Sequence, residues 1–190
     1  GDSDLNSDSF KRALSRSRTV VTSGWIFRDA DAVARQADLL REIFTPLAVY
    51  RDQVEETINS SRKAGTTLVG IHIRRGDYRR FRGGKLFFPD EVYLHKMREM
   101  KTLLEQQGNQ AVFLVCSDED HGCAAPDLDI RRGPGHRIVD LYSLAQCDYI
   151  IGPPSTYSMW ASFYGEVPTY HFEDPHEAVS MDKFEICEGL

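Results

Sequence analysis

The sequence has no long hydrophobic run. Its longest apolar stretches, such as residues 111–116, fall far short of the roughly 20 residues that span a bilayer. Its first ten residues are polar, so no targeting peptide is expected. It also lacks a basic balance. Lys and Arg number 23 against 29 Asp and Glu, a formal net charge of −6 with a pI of about 5.5. A general nucleic-acid binder is therefore not the first expectation. Cysteine is sparse. Cys116, Cys123, Cys147 and Cys187 form no Cys-x-x-Cys pair and no set with histidine at zinc-finger spacing. They read as reduced structural thiols. His121 and Cys123 supply only two potential metal ligands, too few for a site. No P-loop, internal repeat, low-complexity segment or ordered Ser–His–Asp or Cys–His set is present.

What is there is ordinary for a globular chain. The 190 residues are 41% hydrophobic and 27% charged. At about 150 residues per domain, this is one domain or slightly more. A chain of this size can bury a core without disulfide staples.

The chain divides by texture into three parts. Residues 1–18 are polar with little periodicity and read as a polar entry segment, a loop or a disordered stretch. Residues 19–65 read as a helical extension, with apolar positions Ala32, Val33, Ala37, Leu40 and Ile43 at helical spacing and a break at Pro46. Residues 66–190 alternate strands and helices. Residues 66–73 and 111–116 are buried strands, followed by shorter ones at 148–152 and 167–172. Helices fall at 89–107, 139–147 and 155–164, with one more around 177–184; residues 121–137 read as loop. Trp25 and Trp160 read as core anchors. The alternation predicts an α/β fold with a parallel sheet and right-handed crossovers.

In such open sheets ligands sit outside the carboxyl ends of the strands. Three polar clusters occupy that position. The first is His72-Ile-Arg74-Arg75-Gly76-Asp77-Tyr78, followed by Arg79, Arg80, Arg82 and Lys85. Two arginines leaving a strand suit a phosphate, which guanidinium grips with paired hydrogen bonds. Asp77 can orient an arginine or accept a proton from a hydroxyl. The plainer alternative is a solvated basic loop with Asp77 in a surface ion pair. The second cluster is Ser117-Asp118-Glu119-Asp120. Asp118 and Asp120 can hold a divalent metal, accept bonds from a base or ribose, or simply cap the next element. The third is Pro153-Pro154-Ser155-Thr156-Tyr157-Ser158, an anion site at a helix start or an ordinary N-cap. Asp140 stands at the start of the preceding helix, as a cap or as an acceptor for a base.

Read together, these segments resemble a family. Residues 70–78 are similar to the His-x-Arg-Arg-x-Asp motif of the GDP-fucose-dependent fucosyltransferases, namely the α-1,2 enzymes and the related α-1,6 and protein O-fucosyltransferases. Residues 138–151, Ser117-Asp118-Glu119 and residues 155–161 resemble three further family segments, in the family's order. Gly24-Trp-Ile-Phe27 resembles the region before the first motif in the α-1,2 group.

The resemblance implies the Rossmann-like, nucleotide-binding half of a GT-B type, inverting glycosyltransferase. It implies transfer of fucose from GDP-fucose to a glycan acceptor, α-1,2 in type, with no metal or other cofactor. His72 would contact the nucleotide, and Arg74 the β-phosphate of the departing GDP. Arg75 would brace the loop, and Asp118 would take part in donor binding. Asp140 would accept from guanine, and Ser155, Thr156 and Ser158 would line the phosphate side. Arg74 and Asp77 are the catalytic candidates. The family's Gly-rich amino-terminal loop and its α-1,6-type glutamate have no counterpart here. Two other readings stay open: a non-catalytic nucleotide-sugar-binding module, and a metal-dependent enzyme using Asp118 and Asp120. No nucleic-acid partner and no membrane segment are expected. A cytoplasmic location is expected for a bacterial protein, with the Golgi lumen as the alternative if an anchor lies outside these residues.

Overall fold

The computed structural model describes residues 3–4, 7–19 and 27–188. Contacts within the chain define two compact units. One comprises residues 1–45 with 188–190, the other Pro46–Cys187.

The first unit contains strands β1 (Ser3–Asp4) and β2 (Phe27–Arg28), paired in parallel, and helices α1 (Asp8–Arg16), α2 (Ala30–Arg35) and α3 (Ala37–Ile43). Helix α1 lies in the segment read as irregular. Its apolar positions, Phe10, Ala13 and Leu14, share one face but span little more than one turn, and its caps mark its ends. Ser7 Oγ accepts from the Phe10 N–H at 3.3 Å, Asp8 sits in the first turn and Arg16 in the last, and the helix buries no residue. Asp29 caps α2, accepting from the Ala32 N–H at 2.8 Å. Trp25 and the rest of Gly24–Ile26 lie outside the described residues.

The second unit begins with α4 (Ala48–Ser61), which the sequence grouped with the extension at residues 19–65. Five strands follow: β3 (Thr66–Ile73), β4 (Gln110–Ser117), β5 (Ile130–Arg132), β6 (Tyr149–Gly152) and β7 (Thr169–His171). They form one parallel sheet in the order β5-β4-β3-β6-β7. Helices α5 (Asp90–Gln106), α6 (Arg137–Leu144) and α7 (Thr156–Gly165) connect them. Strand β5 falls in the segment read as loop. Three residues, Ile-Arg-Arg, carry no alternation, and it is pairing with Phe113–Val115 that makes them a strand. The helix expected around 177–184 is a single 3₁₀ turn at Met181–Lys183. The buried Lys96 ammonium takes the Glu177 carbonyl, which a helix would need for its own bond.

The sheet is buried on both faces. Val69, Ile71 and Ile73 of β3 pack with Phe113 and Val115 against Tyr93, Met97, Met100 and Leu104 of α5. Leu68 of β3, with Val112, Leu114 and Ile150, packs against Val54 and Ile58 of α4 and Val139 and Leu144 of α6. Alternation thus gives β3 two apolar faces, which is why its sequence is almost continuously apolar. Gly70 lies on the α6 face because a β-carbon there would come 2.6 Å from Leu144 Cδ2. Trp160 is half-buried, its ring 5.6 Å from that of Phe163. All four cysteines are free thiols. Among the described residues no helix is long and apolar enough to cross a membrane.

Candidate functional site

Strand β3 lies centrally and runs to Ile73, so its last residues deliver the first polar cluster to the carboxyl edge of the sheet. His72 shares the face of Leu68 and Gly70. Its ring is 4% exposed and stacks on Tyr157 of α7, centroids 5.0 Å apart. Burial, then the nearby Arg74 and His171, hold its pKa down at about 3, so the imidazole is neutral near pH 7. His72 Nδ1 is buried and has no hydrogen-bond partner among the described residues. In a protein interior such an atom calls for an explanation, and a ligand is one.

His72 and Tyr157 form part of the wall of a cavity of about 700 Å³. Cys116, Ser117 and Asp118 from the end of β4, and residues 135–141 around the start of α6, complete it. A smaller hollow of about 290 Å³ adjoins it, sharing Ser117, Asp118 and Gly135. Asp140 in α6 is 4% exposed, and its Oδ1 accepts from the Gly135 N–H at 3.2 Å. Burial raises its pKa to about 6, with the Gly135 N–H acting against that shift. The cap of α6 is His136, whose Nδ1 accepts from the Val139 N–H, so Asp140 is spared for the cavity. Gly133 keeps this wall thin. A β-carbon there would come 3.0 Å from Asp140 Oδ1 and 2.9 Å from Cys116 Sγ.

Arg74 lines the same cavity between two carboxylates. Its Nη1 donates to Asp118 Oδ2 at 3.0 Å and its Nη2 pairs with Asp77 Oδ1 at 2.8 Å. The Arg75 N–H donates to the other Asp118 oxygen at 2.8 Å. Both Asp118 oxygens are therefore engaged by arginine residues. Gly76 is needed beside them, since a β-carbon would sit 2.9 Å from Asp118 Oδ2. Arg79 makes a two-pronged bond to Glu119 at 2.5 and 2.7 Å. Among the described residues no three His, Cys, Asp or Glu side chains gather as a metal site would require.

Ser155 caps α7, its Oγ accepting from the Tyr157 N–H at 3.2 Å, and Thr156 next to it is exposed. The two site loops are tied together where the Tyr78 hydroxyl donates to the Pro154 carbonyl.

The structure thus brings His72, Arg74, Asp118 and Asp140 to one cavity, with Asp77 beside Arg74. Ser155 and Thr156 stand at the neighbouring helix start. Two further residues of the motifs, Arg75 and Ser158, lie behind the cavity. The Arg75 side chain turns away to Asp90 at the start of α5. Ser158 is fully buried, its hydroxyl 2.8 Å from His171 Nε2 and bonded to the Ser155 carbonyl at 3.1 Å. Three residues along a helix from Ser155, it faces β7 and not the site. Sequence reasoning did not assign Tyr157, His136 or Asp90. Tyr157 sits inside the motif segment, but only the stack on His72 reveals its use.

A Rossmann-like parallel sheet, with a basic strand exit and a polar cavity across its carboxyl ends, defines a ligand-binding α/β unit. A family model described as glycosyl transferase family 11 matches residues 7–171. The chain belongs to this family, and the resemblance to GDP-fucose-dependent fucosyltransferases is borne out. The crystal structure of POFUT1 in complex with GDP superposes at a TM-score of 0.55 and 16% identity, covering 89% of this chain and 60% of that one. POFUT1 in complex with GDP-fucose gives 0.51 and 15%, over 66% of this chain and 46% of that one. The NodZ α-1,6-fucosyltransferase soaked with GDP-fucose gives 0.47 and 18%, over 72% and 49%. At these identities the likeness is one of fold, and the chain spans about half the length of the structures it matches. No curated protein matches the chain in sequence.

Proposed function

We propose that this chain is the donor-binding part of an inverting, GDP-fucose-dependent fucosyltransferase acting on a glycan hydroxyl, α-1,2 in type. The observation that carries the reading is the cavity lined by His72, Arg74 and Asp140, with the buried His72 Nδ1 left without a partner among the described residues. Its volume, about 700 Å³, suits a nucleotide-sized ligand. Asp140 accepts from the guanine N–H groups. Neutral His72 meets the nucleoside, and Tyr157 holds its ring in place. Arg74 binds the β-phosphate, and the α7 start with Ser155 and Thr156 supplies further donors to it. Arg75 and Ser158 support these groups from behind.

In the transfer step the bond from fucose C1 to the phosphate oxygen breaks as the acceptor oxygen bonds to C1 from the opposite face. Negative charge grows on the departing phosphate, where the preorganised guanidinium stabilises it. The acceptor proton passes to a carboxylate. Asp77, beside Arg74 with a side chain 61% exposed, is placed to take it. Asp118 is committed to Arg74 and the Arg75 N–H, which argues against the metal-dependent reading through Asp118 and Asp120.

Titration with GDP and with UDP, each with and without EDTA, tests this. The expected result is a GDP dissociation constant in the micromolar range, about −8 kcal/mol, weaker UDP binding and no effect of chelator. A folded chain with no preference for GDP overturns the reading.

A further inference from the structure

We infer that Asp90 is a positioning residue for the arginine that meets the donor phosphate, although it lies outside every motif and outside the cavity. This rests on the assignment of Arg74 to the phosphate. Asp90 opens α5, where an acid is ordinarily explained by the positive end of the helix. Here both of its oxygens are used elsewhere. Oδ1 pairs with Arg75 Nη2, and Oδ2 accepts from the Gly122 N–H at 2.6 Å. Cys123 Sγ also approaches Oδ1 at 3.5 Å. Gly122 suits this approach, since a β-carbon there would come 3.0 Å from Oδ2.

These bonds close a ring. The Arg75 side chain is held by Asp90, and its backbone N–H donates to Asp118 at 2.8 Å. Asp118 holds Arg74 at 3.0 Å, and four residues further along the same loop Gly122 returns to Asp90. One carboxylate thereby fastens the exits of β3 and β4 to α5. The Arg75 side chain is only 14% exposed, and its Nε has no hydrogen-bond partner among the described residues. Among the described residues Asp90 is the carboxylate that ion-pairs with this guanidinium, which also lies over the Phe87 ring, 5.8 Å from its centroid. Without it Arg75 must seek water, and its N–H, the neighbour of Arg74, moves with it.

The test compares Asp90→Asn, Asp90→Glu and Val54→Ala, a core substitution on the face of the sheet opposite α5 used as a stability control. GDP affinity, melting temperature and the side-chain Nε–Hε NMR signal of Arg74 are measured on each. Asp90→Asn is expected to weaken GDP binding at least tenfold and to broaden or shift the Arg74 signal. Asp90→Glu restores part of both, and Val54→Ala loses stability with neither change. Arg75→Gln reads the same ring from its other side if Asp90→Asn does not fold. The inference fails if folded Asp90→Asn keeps wild-type GDP affinity and Arg74 signal, or if Val54→Ala weakens GDP as much. Should the wild type bind no GDP, the donor reading fails, and the Arg74 signal still decides the role of Asp90.

Discussion

The Asp140→Asn exchange sets folding against ligand binding at one atom pair. Asp140 is buried, and its carboxyl titrates at about 6 in the fold against about 3.9 in an unfolded chain. Two units of difference correspond to about 3 kcal/mol. The sign follows from proton binding. Between pH 4 and 6 the folded state keeps the proton that the unfolded state releases, so stability falls as pH rises through that window. Above it the ionised carboxylate is a standing cost to the fold. Asparagine keeps an oxygen for the Gly135 N–H and never ionises. Relative to wild type, the variant should therefore gain stability between pH 4 and 6, reaching about 3 kcal/mol more at pH 7.5 than at pH 4. Urea unfolding at pH 4, 5, 6 and 7.5 measures this directly, with the pH 4 difference absorbing any change in packing. The same variant should bind GDP at least tenfold more weakly, because its amide presents a donor towards guanine donors. Wild-type GDP affinity should itself decline as pH falls through about 6. A stability difference that is flat with pH, or that moves the other way, refutes the account of Asp140.

Arg74→Ala removes charge-assisted bonds of about 1.5–3 kcal/mol and should weaken GDP roughly 10- to 100-fold by calorimetry, with much less effect on guanosine. Equal losses for GDP and guanosine would contradict a phosphate role. Gly152→Ala should destabilise by about 1–3 kcal/mol in thermal unfolding, because its β-carbon would lie 2.6 Å from the His72 carbonyl oxygen. It should also weaken GDP by displacing the end of β3, and a variant with wild-type melting and affinity would rule out that contact.

Much of the sheet was legible because β3 and β4 are near-continuous apolar strands, a pattern that parallel pairing requires. Strand β5 was not, because its identity lies in its partner: register against Phe113–Val115, with Asp129 accepting from the Phe113 N–H at 2.8 Å. Helix α1 is hard to read because its apolar face is only three residues, Phe10, Ala13 and Leu14, in an otherwise polar segment. At the candidate site, His72, Arg74, Asp118 and Asp140 could be read from their places at strand ends and at the start of a helix. The place of Ser158 was not legible, because three helical residues turn its hydroxyl away from the mouth of the cavity towards His171. Asp90 was invisible, since its meaning depends on two loops about 15 and 32 residues away in sequence.

The bracketing of Arg74 by Asp77 and Asp118 has a consequence for anion selectivity. An unguarded arginine would attract chloride, sulfate and every cellular phosphate. Here two carboxylates already neutralise the guanidinium, so a small anion that binds there has to displace one of them, and Asp77, 61% exposed against 25% for Asp118, is the less firmly enclosed of the two. A ligand that also reaches His72 and Asp140 has further bonds to set against that displacement. On the proposed reading, discrimination against simple anions rests on a single aspartate beside the strand exit.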